Sequence, residues 1–219
     1  VDKLGLLCKA KGCLFFTDAS QTAGFILPQN YDVLCTSGHK GLYGPQGTGL
    51  MIIKNTNSLT VSPLLQGGTG TNSLEYHQPD ILPEGLESGT LNTPGIIGLG
   101  TGVSFVVKNH EKIITREKQL FNEGIKMLSA IPDITLYSDN ENNTPLLSFN
   151  VKSIHSDEVT EYLNDNNICV RGGFHCAVLA HQKLGTTKIG AVRASIGAFN
   201  NIREIEEFIY TLIKFIKTH

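Results

Sequence analysis

Short apolar runs alternate with glycine-rich and polar segments in the first quarter of this chain. Before them, Leu4, Leu7 and Cys8 fall on one face of a predicted helix that ends at Gly12, the usual position of a helix-terminating glycine. The predicted strands cover 14–17, 33–36, 48–53 and 58–65. An alternation of this kind is typical of an α/β sheet that binds ligands at one edge.

Helical spacing dominates the middle of the chain. From Ile96 to Leu128 apolar residues recur every three or four positions, which predicts two helices or one long bent helix, closed by Pro132. Polar residues cluster from Lys108, so we place a domain boundary there, between domains 1–107 and 108–219. Upstream, the glycine-, proline- and threonine-rich stretch 66–95 predicts a long loop, of a length that is usually functional or disordered.

The last third of the chain predicts a small α+β domain. Its final helix carries an apolar stripe, and Asn201 with Glu204 resembles a capping box at its start. The predicted strands are 134–137, 146–151, 168–171 and 190–196, the helices are 157–166 and 202–217, and 172–188 is a loop.

Composition limits the possible functions. The chain has 219 residues and a net charge of −2, so no basic face indicates nucleic-acid binding. No apolar run approaches membrane-spanning length, and no signal peptide is recognised. The five cysteines have no framework spacing, which favours free thiols in a reducing cytoplasm. Four of them lie in apolar runs typical of buried, inert thiols: Cys8, Cys13, Cys35 and Cys169.

The first candidate site surrounds Lys40, in a glycine-rich segment between two apolar runs. A lysine displayed at a strand end can condense with a carbonyl to form a Schiff base, although a solvated surface lysine is the common alternative. Asp18 also ends an apolar run, where a carboxylate can hold a protonated ring nitrogen or simply cap a helix. Gln21, three residues on, is placed to reach a neighbouring ring hydroxyl.

The second candidate site surrounds Cys176, which follows glycines and His175 rather than an apolar run. Cysteine is nucleophilic as the thiolate, which nearby cations and imidazoles favour, and Arg171 and His175 supply both. Zinc binding is a weaker alternative, because His175, Cys176 and His181 lack paired ligand spacing. Arg193 lies inside an apolar strand, where it either pairs with an acid or grips a carboxylate bidentately.

Five segments together resemble the class V aminotransferase superfamily, whose members depend on pyridoxal phosphate (PLP). These are DASQTAG (18–24), SGHKGLYGPQGTG (37–49), ESGTLNTPGIIGLG (87–100), RGGFHCA (171–177) and AVRASIGAFN (191–200). The last two resemble the cysteine desulfurase and selenocysteine lyase branch. The resemblance implies an α/β fold: part of a PLP-dependent transferase large domain, with a mixed sheet and helices, followed by a smaller α+β C-terminal domain.

The resemblance also implies roles for individual residues. Lys40 forms the Schiff base with PLP and moves the substrate α-proton, Asp18 pairs with the pyridine nitrogen, and Gln21 pairs with the ring hydroxyl. Ser37 and His39 contact the phosphate. Thr90 reaches the phosphate in the partner subunit of a homodimer. Arg193 holds the substrate carboxylate, and Cys176 forms a persulfide.

The implied reaction converts L-cysteine to L-alanine and passes sulfur through Cys176 to an acceptor, such as a protein, that the sequence does not identify. His39 or His175 moves protons, and the sequence does not decide between them. An aminotransferase or another PLP lyase would keep Lys40 and Asp18 without needing Cys176. The chain opens at Val1 without a methionine, and the family's upstream phosphate-binding threonine and ring-stacking histidine have no match in it. We therefore expect a fragment that does not retain PLP tightly by itself. An inactive fragment that folds or dimerises without holding the cofactor is an alternative to the enzyme.

Overall fold

A computed structural model describes residues 1–54, 59–68, 70, 74–138 and 144–219. The chain divides into two compact units, Val1–Asn109 and His110–His219. The division falls within one helix, so each unit contains part of that helix together with a sheet of its own. None of the described helices is both long enough and apolar enough to cross a membrane.

The first unit is built on a small mixed sheet. Helix α1 (Asp2–Ala10) precedes strands β1 (Phe16–Asp18), β2 (Val33–Ser37) and β3 (Gly49–Ile53). Strand β1 pairs in parallel with β2, and β2 pairs antiparallel with β3. Because β1 and β2 are parallel neighbours, their C-terminal residues Asp18 and Ser37 lie at the same sheet edge.

Three of the four strands predicted for this unit are confirmed, and so is the helix that ends at Gly12, whose φ of 67° is left-handed. The fourth, at 58–65, is wrong over its described residues 59–65, which contain no strand. Pro63 has no N–H to donate to a ladder, and Leu64 and Leu65 are largely exposed, so this segment has neither pairing nor a covered face.

A single helix, α2 (Thr93–Ser129), resolves the alternative of two helices or one. The stretch predicted as a loop over 66–95 is shorter than expected, because it contains a 3₁₀ helix at Glu84–Leu86 and ends where α2 begins. Its positions 69 and 71–73 lie outside the described residues.

The second unit has an antiparallel sheet in the order β4 (Ile134–Leu136), β5 (Leu146–Val151), β6 (Val192–Ser195). Helices α3 (Ser156–Asp165) and α5 (Ile202–Thr218) complete a core that includes Leu128, Phe149 and Phe215. The predicted capping box is confirmed: Glu204 N–H donates to Asn201, and the Asn201 N–H donates to Glu204 Oε2 at 2.9 Å. This cap fixes where α5 starts after the last strand.

Two predictions for the second unit were wrong. Residues 168–171 form no strand, and only Arg171 makes a bridge, to Arg193. The predicted loop 172–188 contains helix α4 (Val178–Leu184), which ends at the left-handed Gly185. Both short elements depend on contacts with distant residues, which periodicity does not record.

The four cysteines predicted to be buried are not. Cys13, Cys35 and Cys169 are exposed, and Cys8 is half-buried. Cys35 illustrates the reason: Leu34 and Thr36 on either side of it in β2 are buried, so Cys35 points to the opposite, open face of the sheet.

Candidate active site

The ends of β1 and β2 meet through Ser20. The Ser20 N–H donates to Asp18 Oδ1 at 2.8 Å, and the Ser37 hydroxyl donates to the Ser20 carbonyl oxygen at 3.3 Å. The Ala19 N–H donates to the Cys35 carbonyl oxygen at 2.8 Å, which continues the parallel pairing one residue further. Asp18 and Ser37 are therefore held at one edge of the sheet by backbone as well as side-chain contacts.

The Asp18 carboxyl is held in its ionised form. Hydrogen bonds from the Ser20 side chain and backbone lower the pKa of Asp18, against the opposing effect of desolvation, and the positive charge of Lys40 lowers it further. Lys40 thus acts on this carboxylate through its charge, and both side chains are exposed to solvent.

Backbone contacts shape the loop that carries Lys40. The Gly38 N–H donates to the Thr48 carbonyl, and the Gly44 N–H donates to the Gly38 carbonyl, both at 2.8 Å. The Leu99 side chain of α2 packs against Gly44, where a Cβ would lie 2.7 Å from Leu99 Cδ1. These contacts close the loop around its glycines and leave the Lys40 side chain free to point outward.

The structure joins only part of the predicted first cluster. Asp18 and Ser37 are linked through Ser20, and the charge of Lys40 acts on Asp18. Gln21 and His39 are exposed neighbours in sequence of Ser20 and Lys40. Among the described residues, no hydrogen bond connects Thr90 to these groups. Thr90 follows Gly89, whose N–H donates to the Gly67 carbonyl at 2.9 Å, and it is exposed.

Cys176 lies in a tight, unusual turn of the second unit. His175 and Cys176 have left-handed φ values of 51° and 61°, and Gly173 has a φ of 98°. Non-glycine residues in this region cost about 1–3 kcal/mol each and persist where the surroundings enforce them, commonly at functional sites. The Ala177 N–H closes the turn onto the Phe174 carbonyl at 2.8 Å, and the Cys176 side chain is exposed.

Two arginines lie side by side near this turn. Arg171 and Arg193 exchange backbone hydrogen bonds of 3.0 and 2.8 Å, so their side chains leave the same face of the bridge. Burial lowers the pKa of Arg193, Arg171 lowers it further, and the charge of Cys176 raises it. The Arg193 Nε is buried and has no hydrogen-bond partner among the described residues. Of the two alternatives for Arg193, the ion pair with an acid has no counterpart among the described residues, and the binding of a substrate carboxylate stays a prediction.

His175 has a defined tautomer. Its Nε2 lies 2.9 Å from the Ala191 carbonyl oxygen, and because that oxygen can only accept, Nε2 must carry a hydrogen. The Nδ1 atom is buried without a partner among the described residues. Burial lowers the pKa of His175, the bond to Ala191 opposes this, and the charges of Arg193, His181 and Arg171 lower it further. These effects favour the neutral form of His175, in which the lone pair lies on Nδ1.

Sequence reasoning missed Ser156 as a support of the turn. Its buried hydroxyl accepts the Gly173 N–H at 3.0 Å, so α3 anchors the segment that leads to Cys176. The only signal in the sequence was a serine before acidic residues, which is typical of a helix start and says nothing about the distant turn. In the described ranges, no three histidine, cysteine, aspartate or glutamate side chains come together as a metal site.

Comparisons with known proteins agree with this arrangement. The family described as aminotransferase class-V matches residues 1–208. A probable cysteine desulfurase of Pyrococcus abyssi is 33% identical over all of this chain and 56% of its own length. A probable cysteine desulfurase of Methanothermobacter thermautotrophicus is 32% identical over 94% of this chain and 54% of its own. The apo structure of cysteine desulfurase from Thermococcus onnurineus NA1 matches with a TM-score of 0.86 and 32% identity, covering all of this chain and 56% of that one.

The chain belongs to the class-V aminotransferase family. It spans about half the length of the curated relatives it matches. The predicted α/β fold, as part of a PLP-dependent transferase, is confirmed by these structural neighbours.

Proposed function

We propose that this chain is part of a PLP-dependent cysteine desulfurase, which converts L-cysteine to L-alanine and carries the sulfur as a persulfide on Cys176. The relatives named above are cysteine desulfurases or probable ones, which supports the reaction class. The proposal assigns the cofactor to Asp18, Gln21, Ser37, His39 and Lys40, and sulfur transfer to Cys176 with Arg193.

The residues of the first unit fit PLP. The lowered pKa of Asp18 keeps a carboxylate available for a protonated pyridine nitrogen, and the exposed Lys40 offers its amine to the aldehyde. Gly24 and Gly41 approach each other so closely that neither can carry a Cβ, which keeps the two loops together. Ser37 and His39 lie at the end of β2 and in the following loop, where they would contact the phosphate, and Gln21 would contact the ring hydroxyl.

When bound, PLP supplies an electron sink for the bond broken at the substrate α-carbon. This chain's residues supply the rest. Lys40 Nζ moves the α-proton, and Asp18 keeps its negative charge beside the ring nitrogen. Arg193 has a buried Nε without a partner in the part of the chain that the structure describes, and its planar fork suits a substrate carboxylate. His175 Nδ1, which is unpartnered among the described residues and carries the lone pair in the neutral ring, is the atom that can accept a proton near Cys176.

The sulfur step needs no external oxidant. The Cys176 thiolate bonds to the substrate γ-sulfur, the carbon–sulfur bond breaks, and its electron pair stays on the substrate β-carbon, which then takes a proton. The two sulfurs become more oxidised and the β-carbon more reduced. One thiol and one cysteine thus become one persulfide and one alanine, with every hydrogen accounted for.

The observation that carries the proposal is the position of Cys176. It is an exposed thiol at a left-handed turn, close enough to the half-buried Arg193 for their charges to interact. An aminotransferase has no need of such a thiol, whereas a persulfide carrier requires one. The thiol must also be able to leave the site with its sulfur, which an exposed turn permits.

The test uses this chain with added PLP and L-cysteine. We expect mass spectrometry to show one added sulfur on Cys176 and a matching amount of alanine. Cys176→Ala should abolish the persulfide and alanine release, while the control Cys169→Ala, another exposed thiol of the same unit, should leave both unchanged. Alanine release by Cys176→Ala at the wild-type rate would reduce the function to a general PLP lyase or aminotransferase.

Three further assignments belong to the same proposal. Thr90 would contact the phosphate of a partner subunit in a homodimer, which agrees with its exposed position. Sulfur would pass from Cys176 to an acceptor such as a protein. The free thiols suit a cytoplasmic enzyme.

A further inference from the structure

A buried histidine lies behind the turn that carries Cys176. His181, on α4, is 4% exposed, and its Nδ1 lies 2.7 Å from the hydroxyl oxygen of Thr186, which is 2% exposed. The two side chains bond to each other where very little of either is exposed to solvent. Neither residue belongs to the reaction proposed above.

The His181 ring contacts the residues that precede Cys176. Its centroid lies 5.3 Å from that of Phe174, edge to face, and 5.9 Å from that of His175, at a tilted angle. Phe174 is exposed, so the buried His181 ring supports Phe174 and His175 from beneath. Any shift of the His181 ring therefore changes the support of His175 directly.

The backbone ties the same histidine to both ends of α4. The His181 N–H donates to the Ala177 carbonyl at 3.2 Å, one residue after Cys176, and the His181 carbonyl accepts the Thr186 N–H at 2.9 Å. His181 thus joins the turn at Cys176, helix α4 and the segment after Gly185. A side-chain bond to Thr186 holds the ring in the orientation that this backbone permits.

We propose that His181 and Thr186 are a positioning pair, which holds His175 and Cys176 in their left-handed conformation and keeps the thiol beside Arg193. The inference deepens the proposed function, since the thiol so placed is the one that takes the sulfur. Left-handed residues other than glycine relax when their supports are removed. Loss of the His181–Thr186 bond should let the turn relax and move the thiol out of the position that the left-handed conformation gives it.

The test measures alkylation of Cys176 by iodoacetamide in this chain, without PLP or cysteine, against Cys169 as an internal standard. Thr186→Val keeps the shape of the side chain and removes the hydroxyl. We expect Thr186→Val to slow the alkylation of Cys176 about threefold to tenfold, which corresponds to the loss of one buried hydrogen bond. The alkylation rate of Cys169 should stay unchanged. Thr186→Ser, which restores the hydroxyl, should return the rate towards that of the wild type.

An unchanged alkylation rate of Cys176 in Thr186→Val would overturn the proposal. A parallel change in the rate of Cys169 would also overturn it, because it would indicate a general loosening of the fold. If Thr186→Val does not fold, His181→Phe keeps a ring and loses Nδ1, and it is judged by the same two rates. The labelling requires no turnover. A chain that shows the expected labelling yet forms no persulfide would therefore disprove the proposed function and not the positioning.

Discussion

Gly24 and Gly41 meet backbone to backbone. A Cβ on Gly24 would collide with the Gly41 carbonyl oxygen, and a Cβ on Gly41 would collide with the Ala23 carbonyl oxygen. Gly24 also has a left-handed φ of 94°, whereas Gly41 does not need one. The contact joins the loop after Asp18 to the loop of Lys40, so it places the two charged groups of the first cluster.

Because of this contact, even the change of glycine to alanine at position 41 should destabilise the fold. Gly41→Ala should lower the free energy of unfolding by about 1–3 kcal/mol, because the added methyl forces two backbone segments apart. Urea denaturation measures this free energy of unfolding. The matched control is Gly100→Ala, on α2, where nothing lies within 4 Å and alanine should stabilise the helix by about 0.5–1 kcal/mol. Equal effects of the two changes would contradict the close approach.

Lys40 should be the only lysine that PLP modifies specifically. Lys40→Ala is expected to remove the visible absorbance of a lysine Schiff base when PLP is added, since no other amine is known to lie beside Asp18. A titration followed by absorbance, with borohydride trapping and mass spectrometry, identifies the site. Lys3→Ala, an exposed lysine on α1, is the control. Trapped PLP on other lysines after Lys40→Ala would place the cofactor elsewhere.

Arg193→Lys tests the carboxylate site. Lysine keeps the charge and loses the fork, so we expect KM for L-cysteine to rise on the order of tenfold or more, with little change in PLP affinity. Steady-state kinetics and a PLP titration separate the two effects. Arg203→Lys, at an exposed position on α5, provides the control. An unchanged KM would show that Arg193 serves the fold instead.

The lowered pKa of His175 predicts a dependence of stability on pH. Because the folded state holds the ring neutral, it binds fewer protons than the unfolded chain, whose histidine titrates near 6.5. The stability contributed by the neutral ring is fully present above pH 6.5 and is lost as the pH falls through the lower pKa of the folded state. Below pH 6.5 the wild type should therefore lose stability relative to His175→Gln.

Urea midpoints of the wild type and His175→Gln, measured on both sides of pH 6.5, check this expectation. The remaining histidines are present in both proteins, so their titration largely cancels in the difference between the two curves. Parallel curves across this range would mean that His175 titrates as it does in the unfolded chain.

Local signals allowed much of the fold to be predicted. The apolar stripe of α5 and its cap at Asn201 lie within a few residues of each other, and β2 and β3 are continuous apolar runs. Both kinds of pattern depend on neighbours along the chain. The segment 168–171 and helix α4 were mispredicted because both depend on contacts outside their own residues. Arg171 forms a bridge to Arg193, and His181 of α4 bonds to Thr186.

The candidate site divides in the same way. The sequence by itself determined the candidate residues, because Lys40, Asp18, Cys176 and Arg193 stand in motifs that resemble one enzyme family. Only the tertiary structure decided that Asp18 and Ser37 share Ser20, that Arg193 lies beside Arg171, and that His175 keeps its hydrogen on Nε2. Each of these depends on which strands pair and which face is covered, and a linear pattern does not contain that information.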